Sequence, residues 1–596
     1  MTIIEKLSAL RTLMKERNMD AYFIPTSDFH ETEYVGEHFK ARKYMSGFTG
    51  SQATLIVCLD RAALWTDGRY FIQAEKQLEG STIDLMKQGE EGVLTVEEYL
   101  FENMSDHAIL GFDGRVMNTA MAEKLQSTLA SKHVSFACHE DLVGMIWEDR
   151  PALPTKPGFF FEEKYSGKST ADKLSDIRKE MAAVKANVHI VTTLDDIAWI
   201  MNYRGWDISH FPAMLSYLVI EENKATLYID EAKLDEQSKA NCVDNNIAVH
   251  PYDAIYEEVK AIEKDACVLL DKNKVNFAIC ENLPASVSVV NAPNPSQKMK
   301  AMKNEVELEN NRVAHIKDAV AMCKFMYWLK TNVGKMKITE VSASDYLEQL
   351  RRDQGIFDLS FDTISAYKEH AAMMHYSANA ETDVELKEEG MLLVDSGGQY
   401  LEGTTDITRT FVLGPISDLE RFHFTTALRS HINLAKAHFL YGCRGLNLDI
   451  YARGPLWDLN LDYKCGTGHG VGHVLNVHEG PNGFRWRIVP ERNDSCVLEA
   501  GMTQSNEPGV YIEGSHGIRH ENEMVVCAGE KNEYGQFMHF ETITFVPFDL
   551  DGIDVDLLTA YEKAWLNEYH KETYEKVASY LTAEEQAWLK EATRAI

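Results

Sequence analysis

Val394-Asp-Ser-Gly-Gly-Gln-Tyr-Leu-Glu-Gly-Thr-Thr-Asp406 is the stretch that decides how this chain folds. An apolar run at 391–394 leads into Asp395, Ser-Gly-Gly reads as a chain reversal, and Asp406 opens the returning strand. Two strands paired this way would aim both carboxylates at one point. Taken alone, the pair is weak evidence, since aspartates in Gly-rich turns usually cap the turn, so its meaning depends on what surrounds it.

Further along, Gly466-Thr-Gly-His-Gly-Val-Gly-His-Val-Leu-Asn-Val-His-Glu-Gly480 sets His469, His473 and His478 among close glycines. A nucleotide loop would need glycine where Val471 or His473 stands, and no Walker lysine follows. The glycines suit a backbone that must crowd a metal or a substrate. One histidine here would read as structural, whereas three so close together on an acidic chain weigh evenly between structure and ligation. Asn506-Glu-Pro-Gly509 and Gly517-Ile-Arg-His-Glu-Asn522 complete the set. Pro508 drives Glu507 toward extended geometry, and Glu521 leads into the apolar Met524-Val-Val-Cys527. Either glutamate alone would read as a solvated surface acid.

Together, Asp395, Asp406, His469, Glu507 and Glu521 offer four carboxylates and one imidazole, in an order that suggests strands converging on one site. Four clustered carboxylates could not all stay ionised unaided, because like charges raise one another's pKa. Two divalent cations would balance them. Oxygen ligands with one nitrogen suit manganese, cobalt or zinc better than copper, and composition does not choose among the three. HExxH is absent, since Gly480, Pro481 and Asn482 follow His478-Glu479, and there is no GxSxG nucleophile elbow.

The remaining chain reads as scaffold. Proline clusters at Arg150-Pro-Ala-Leu-Pro-Thr-Lys-Pro157 and Asn291-Ala-Pro-Asn-Pro-Ser296 divide the 596 residues into 1–153, 154–295 and 296–596. The first two pieces repeat one pattern: a helix (3–16, 171–185), an apolar strand (20–26, 187–193), a Gly-aromatic pair (Gly47-Phe48, Gly205-Trp206) and a strand pair (53–59 with 62–66, 215–220 with 225–229). Each is expected to be an α/β domain, the second a duplicate of the first. The third piece reads as α+β. It has a helix at 304–329 with Ile316, Ala319, Val320, Cys323 and Tyr327 on one face, strands at 391–395, 408–413 and 523–527, a helix at 418–439, and a helical tail beyond 554.

A formal charge of −32, from 92 acidic and 60 basic residues, repels phosphate backbones and anionic lipid, which argues against nucleic-acid and membrane partners. Ten dispersed cysteines without a CxxC fit reduced thiols. The opening MTIIEKLSALRTLMKERNMDAYFI has no long apolar h-region, and no run approaches the roughly 18 residues that span a bilayer, so the cytoplasm is the expected compartment.

The combined motifs resemble the pita-bread metallopeptidases and, within them, the three-domain cytosolic-type Xaa-Pro aminopeptidases (aminopeptidase P). The matching segments are Trp65-Thr-Asp-Gly-Arg-Tyr70, Asp395-Ser-Gly-Gly398, Gly403-Thr-Thr-Asp-Ile-Thr-Arg409, Gly466-Thr-Gly-His-Gly-Val-Gly472, Leu475-Asn-Val-His-Glu-Gly-Pro481, Asn506-Glu-Pro-Gly509 and Gly517-Ile-Arg-His-Glu521. They span essentially the whole chain. The resemblance implies two creatinase-N-like α/β domains ahead of a pita-bread catalytic domain. It implies that Asp395, Asp406, His469, Glu507 and Glu521 hold two divalent ions, usually Mn2+. Asp406 and Glu521 would be shared by both ions, with a hydroxide between them as nucleophile. By the same resemblance Glu507 also shuttles the proton, and His375 (in Met373-Met-His-Tyr376) and His478 bind the substrate's carbonyls and stabilise the tetrahedral intermediate. Arg519 would support the ligands or bind substrate, and Arg69 would bind substrate from the first domain. The implied reaction releases an N-terminal residue that precedes proline, from peptides longer than two residues, in a homodimer. Cys465 stands where these enzymes often carry histidine, near the expected proline pocket. Two other readings stand beside it: a prolidase confined to dipeptides, which would share the five ligands, and a catalytically inactive binding module on the same fold, a kind that loses such ligands, whereas all five positions match here along with His375 and His478.

Overall fold

The computed structural model describes residues 1–489 and 494–596 and divides into two compact units. The first comprises Met1–Phe161 and Lys168–Ser296, the second Glu162–Gly167 and Gln297–Ile596.

The first unit carries two six-stranded sheets. One runs in the order Asp84–Lys87, Ala62–Thr66, Thr54–Cys58, Ala21–Pro25, Ile109–Gly111, Ser135–Ala137. The other runs Ile247–His250, Ala225–Tyr228, Tyr217–Glu221, Val188–Val191, Cys267–Leu270, Ser288–Asn291. Strand order and sense coincide. Each sheet has one parallel pair, then two antiparallel pairs, then two parallel pairs. Side-chain alternation explains why such apolar runs become central strands. Tyr22, Ile24, Leu55, Val57 and Leu64 enter one core with Leu7, Leu10 and Met14 of helix Ile3–Glu16. Ala21, Phe23, Ile56, Ala63 and Trp65 enter a second core on the opposite face. The helix begins at Thr2, where Thr2 and Glu5 cap one another's backbone.

The second unit surrounds its sheets with helices. Helix Glu305–Asn332, started by an Asn304–Glu307 capping box, buries Val320, Cys323, Phe325 and Leu329 against Leu392, Val394 and Phe411. Those last residues belong to an antiparallel sheet of Ile364–Tyr367, Met391–Ser396 and Ile407–Val412. Met391 and Val412 also pack with Phe424 and Leu428 of helix Asp418–Ala435. A six-stranded sheet follows in the order Phe439–Leu440, Gly535–Thr542, Asn522–Asn532, Thr503–Asn506, Gly468–Gly470, Glu479–Phe484. Hairpin Gly509–Ile512 with His516–Arg519 lies beside it in sequence. Helices Ala560–Val577 and Ala583–Ala592 form the expected helical tail. Among the described residues no helix is long and apolar enough to cross a membrane.

Two local expectations are corrected. The helix expected over 418–439 stops at Ala435, and Phe439–Leu440 forms a strand on Gly535–Thr542, because Phe439 enters the core of the six-stranded sheet. The reversal expected at Ser396-Gly-Gly398 falls later. Gly398–Tyr400 is itself a strand on Gly403–Thr404, so the chain turns at Leu401 and Glu402. Gly397 serves close approach instead: a Cβ there would overlap the carbonyl of Thr405.

Candidate metal centre

Asp395 lies on strand Met391–Ser396, opposite Thr408, and Asp406 immediately precedes the partner strand Ile407–Val412. His469 is the middle residue of Gly468–Gly470. Glu507 follows strand Thr503–Asn506, and Glu521 precedes Asn522–Asn532. Glu521 N–H donates to the Thr408 carbonyl at 3.1 Å, which stitches the two sheets together at the site. Ligand atoms of Asp406, His469 and Glu521 all fall within 4.8 Å of one another. His469 Nε2 is 3.4 Å from Asp406 Oδ2 and 3.5 Å from Glu507 Oε1. Residues separated by more than a hundred positions in sequence therefore converge, as the sequence reading requires.

The electrostatics of this cluster need a cation. His469 Nδ1 is 2.9 Å from the Gly470 carbonyl, which only accepts, so Nδ1 carries the proton. That leaves Nε2 turned toward the carboxylates of Asp406 and Glu507. Asp395 Oδ1 is buried and has no hydrogen-bond partner among the described residues. Burial first, then repulsion from Asp395 and Glu507, holds the Asp406 carboxyl well above the usual range. Glu521 is raised well above it by burial and then by Asp406. Glu507 is also raised, first by burial, with His469 and Arg519 opposing the rise. Oxygen-rich donors, one imidazole nitrogen and an orphaned carboxylate oxygen fit divalent metal ions.

The neighbouring side chains hold these groups in place. Arg519 Nη2 donates to Asp395 Oδ2 at 2.5 Å, Nε to Thr408 Oγ1 at 3.0 Å, and Nη1 to the Tyr511 hydroxyl at 2.7 Å. Thr408 Oγ1 in turn donates to Glu521 Oε2 at 2.7 Å. His478 stands edge-to-face on His469, with ring centroids 4.3 Å apart. His375 is exposed, in the turn after the short helix Lys368–Ala372, and Ala371 of that helix packs against Gly517 of the strand carrying Arg519. Arg69 belongs to the first unit, where its guanidinium grips Asp67 through two bonds of 2.8 Å. The Cys465 thiol is pushed up to about 12 by loss of solvent and then by Glu507.

Sequence reasoning missed two groups. Glu523 is fully buried, accepts from the Asp406 N–H at 2.7 Å and lies 3.1 Å from His315 Nε2. Burial alone would depress His315, but Glu523 outweighs it and the imidazole is raised. The i, i+2 spacing of Glu521 and Glu523 was the available signal, since alternate residues of a strand share a face. The second group is Glu479 with Lys300 and Lys303, all buried. Lys300 Nζ bonds Oε2 at 2.8 Å, Lys303 Nζ bonds Oε1, and Lys303 also donates to the Val471 carbonyl at 2.7 Å. Glu479 follows His478 and pairs with Gly470, the neighbour of His469, so these two lysines brace both histidine-bearing strands. No sequence pattern announces this group.

Models of the creatinase/prolidase N-terminal domain match residues 6–143 and 149–307. Metallopeptidase family M24 matches 309–528, and the C-terminal region of peptidase M24 matches 536–596. A probable Xaa-Pro aminopeptidase P of Laccaria bicolor is 39% identical over 97% of this chain and 91% of its own length. Xaa-Pro aminopeptidase 1 of Dictyostelium discoideum is 38% identical over 96% of this chain and 93% of its own. The crystal structure of the X-prolyl aminopeptidase of Caenorhabditis elegans, described as a cytosolic enzyme with a di-nuclear active site, superposes with a TM-score of 0.94. That comparison covers 100% of both chains at 34% identity. The Xaa-Pro dipeptidase of Bacillus anthracis shares the fold alone, over 64% of this chain and 99% of its own, with a TM-score of 0.51 at 23% identity. Two creatinase N-terminal modules followed by an M24 pita-bread domain, matched along nearly the full length of such relatives, place this chain among the Xaa-Pro aminopeptidases of metallopeptidase family M24.

Proposed function

We propose that this chain hydrolyses the N-terminal Xaa-Pro bond of peptides longer than two residues, at a centre in which Asp395, Asp406, His469, Glu507 and Glu521 hold two divalent ions. The observation that carries the reading is the convergence of His469 Nε2 on the carboxylates of Asp406 and Glu507 at 3.4 and 3.5 Å, with Glu521 in the same cluster. A pair of divalent ions supplies water acidified toward neutral pH and a clamp for charge developing on the substrate oxygen. Glu507, raised by burial, is suited to accept a proton from the attacking water at its carboxylate and pass it to the departing proline nitrogen. His478, packed edge-to-face on His469, is assigned to donate to the carbonyl oxygen as it becomes an oxyanion, and His375 is assigned the same role. Arg519 fixes Asp395, and Arg69 is assigned to substrate binding.

Manganese, a homodimer and a cytoplasmic location belong to the same proposal. The cytosolic worm enzyme supports the last. The matching strand orders of the two first-unit sheets support reading 1–153 and 154–295 as duplicated domains ahead of 296–596. The test is hydrolysis of Arg-Pro-Pro with manganese, before and after chelation, beside a dipeptide with proline second. Release of arginine from the tripeptide, lost on chelation and restored by metal, is expected. Cleavage of the dipeptide alone would make the chain a prolidase, and no bound metal with no cleavage would make it a binding module.

A further inference from the structure

Far from this centre in sequence, the first unit holds a second set of potential ligands. Its two sheets are joined through backbone bonds. Thr119 N–H donates to the Val275 carbonyl at 3.0 Å, Phe277 N–H to Met117 at 2.8 Å and Ala278 N–H to Gly114 at 3.0 Å, while Gly114 N–H ties back to Cys138 at 2.9 Å within the first sheet's own region. At this joint, Cys138 follows strand Ser135–Ala137, and Glu281 ends helix Phe277–Glu281. Cys138 Sγ lies 3.2 Å from Glu281 Oε2, and His139 Nδ1 lies 3.7 Å from the same oxygen and 4.0 Å from the sulfur.

That triangle has the dimensions of one face of a coordination tetrahedron. Bonds of about 2.3 Å to sulfur and about 2.0–2.1 Å to nitrogen and oxygen separate tetrahedral ligand atoms by about 3.3–3.6 Å. The observed edges differ from this by about half an ångström at most. Cys138 is 4% exposed while the side chains of His139 and Glu281 are 79% and 40% exposed, so the sulfur is fixed and the other two ligands sit where an ion and a water can reach. We propose that Cys138, His139 and Glu281 form a second cation site, for a zinc-class divalent ion, that clasps the two sheets of the first unit.

Without a cation, the Cys138 S–H donates to the Glu281 carboxylate. Burial, reinforced by Glu281, pushes this thiol up to about 12. Binding exchanges that proton for the metal: the S–H bond breaks, a sulfur–metal bond forms, one proton goes to solvent, and nothing is oxidised. A thiolate and an imidazole favour zinc, cobalt or cadmium over manganese and magnesium, so this site selects differently from the oxygen-rich centre. A cation bound only to the folded unit stabilises it by mass action.

The experiment uses the full chain, first saturated with manganese, then titrated with cobalt(II). One further equivalent with a thiolate-to-cobalt charge-transfer band is expected. The band should vanish in Cys138→Ser and survive in Cys465→Ala, whose thiol lies near the other centre. Zinc should raise the unfolding temperature of the first unit in wild type. Glu281→Gln, which leaves the core intact, should weaken zinc binding by about tenfold or more. Peptide hydrolysis should be unchanged in Cys138→Ser, which separates this site from the catalytic reading. No band, a band of full strength in Cys138→Ser, or zinc binding equally well in wild type and Glu281→Gln would overturn the proposal.

Discussion

Replacing Glu479 with glutamine removes the one carboxylate that the buried ammonium groups of Lys300 and Lys303 share. The three side chains are only 1–2% exposed, so water does not screen the loss. Breaking a buried ion pair from one side costs about 3–5 kcal/mol, because the surviving charge stays desolvated. The second unit has about 300 residues. An unfolding entropy of about 2.1 cal/mol/K per residue converts that cost into a fall of about 5–8 °C in its midpoint. Calorimetry of the full chain, reading the transition of this unit separately, measures the shift. A companion variant, Lys300→Met, Lys303→Met and Glu479→Leu together, removes all three charges and should return to within about 1 kcal/mol of wild type. It should still hydrolyse peptide more slowly, because the Lys303 bond to the Val471 carbonyl, which braces the His469 strand, is gone. A Glu479→Gln midpoint within about 1.5 °C of wild type, equivalent to less than about 1 kcal/mol, would refute the reasoning.

Three further outcomes are expected. In chelated protein, Asp406, Glu507 and Glu521 are raised above their unfolded values, first by burial, so the folded state binds extra protons. Its stability should fall as pH rises above the ordinary carboxylate range, while metal-loaded protein does not follow; parallel melting curves for the two forms would contradict this. His478→Ala should lower kcat by about 100-fold or more with both metals retained, as kinetics with metal analysis will show, and metal loss would instead assign it a ligand role. Cys465→Ala should change KM more than metal affinity, and equal loss of both metals would reject a place for it at the substrate pocket.

Much of the site was legible because its residue types are costly to place together for any other purpose. Four acids and a histidine in Gly-rich, strand-flanking segments pointed to a common centre, and the strands around Asp395, Asp406 and Glu521 formed where apolar runs predicted. The Ser396-Gly-Gly398 reversal was misplaced because a glycine needed for close approach looks the same in sequence as one needed for a turn. Glu523 was legible in principle from strand alternation.

By itself the sequence determined the element types, the candidate ligands and the strong net acidity, since these follow from local periodicity, residue chemistry and summed charge. Only the tertiary structure decided which acids share a pocket, which nitrogen of His469 faces them, and that Lys300 and Lys303 reach across about 180 positions to Glu479. Those facts rest on contacts between distant segments, where burial turns an ordinary surface charge into a buried one that must find its partner, and no local pattern encodes that distance.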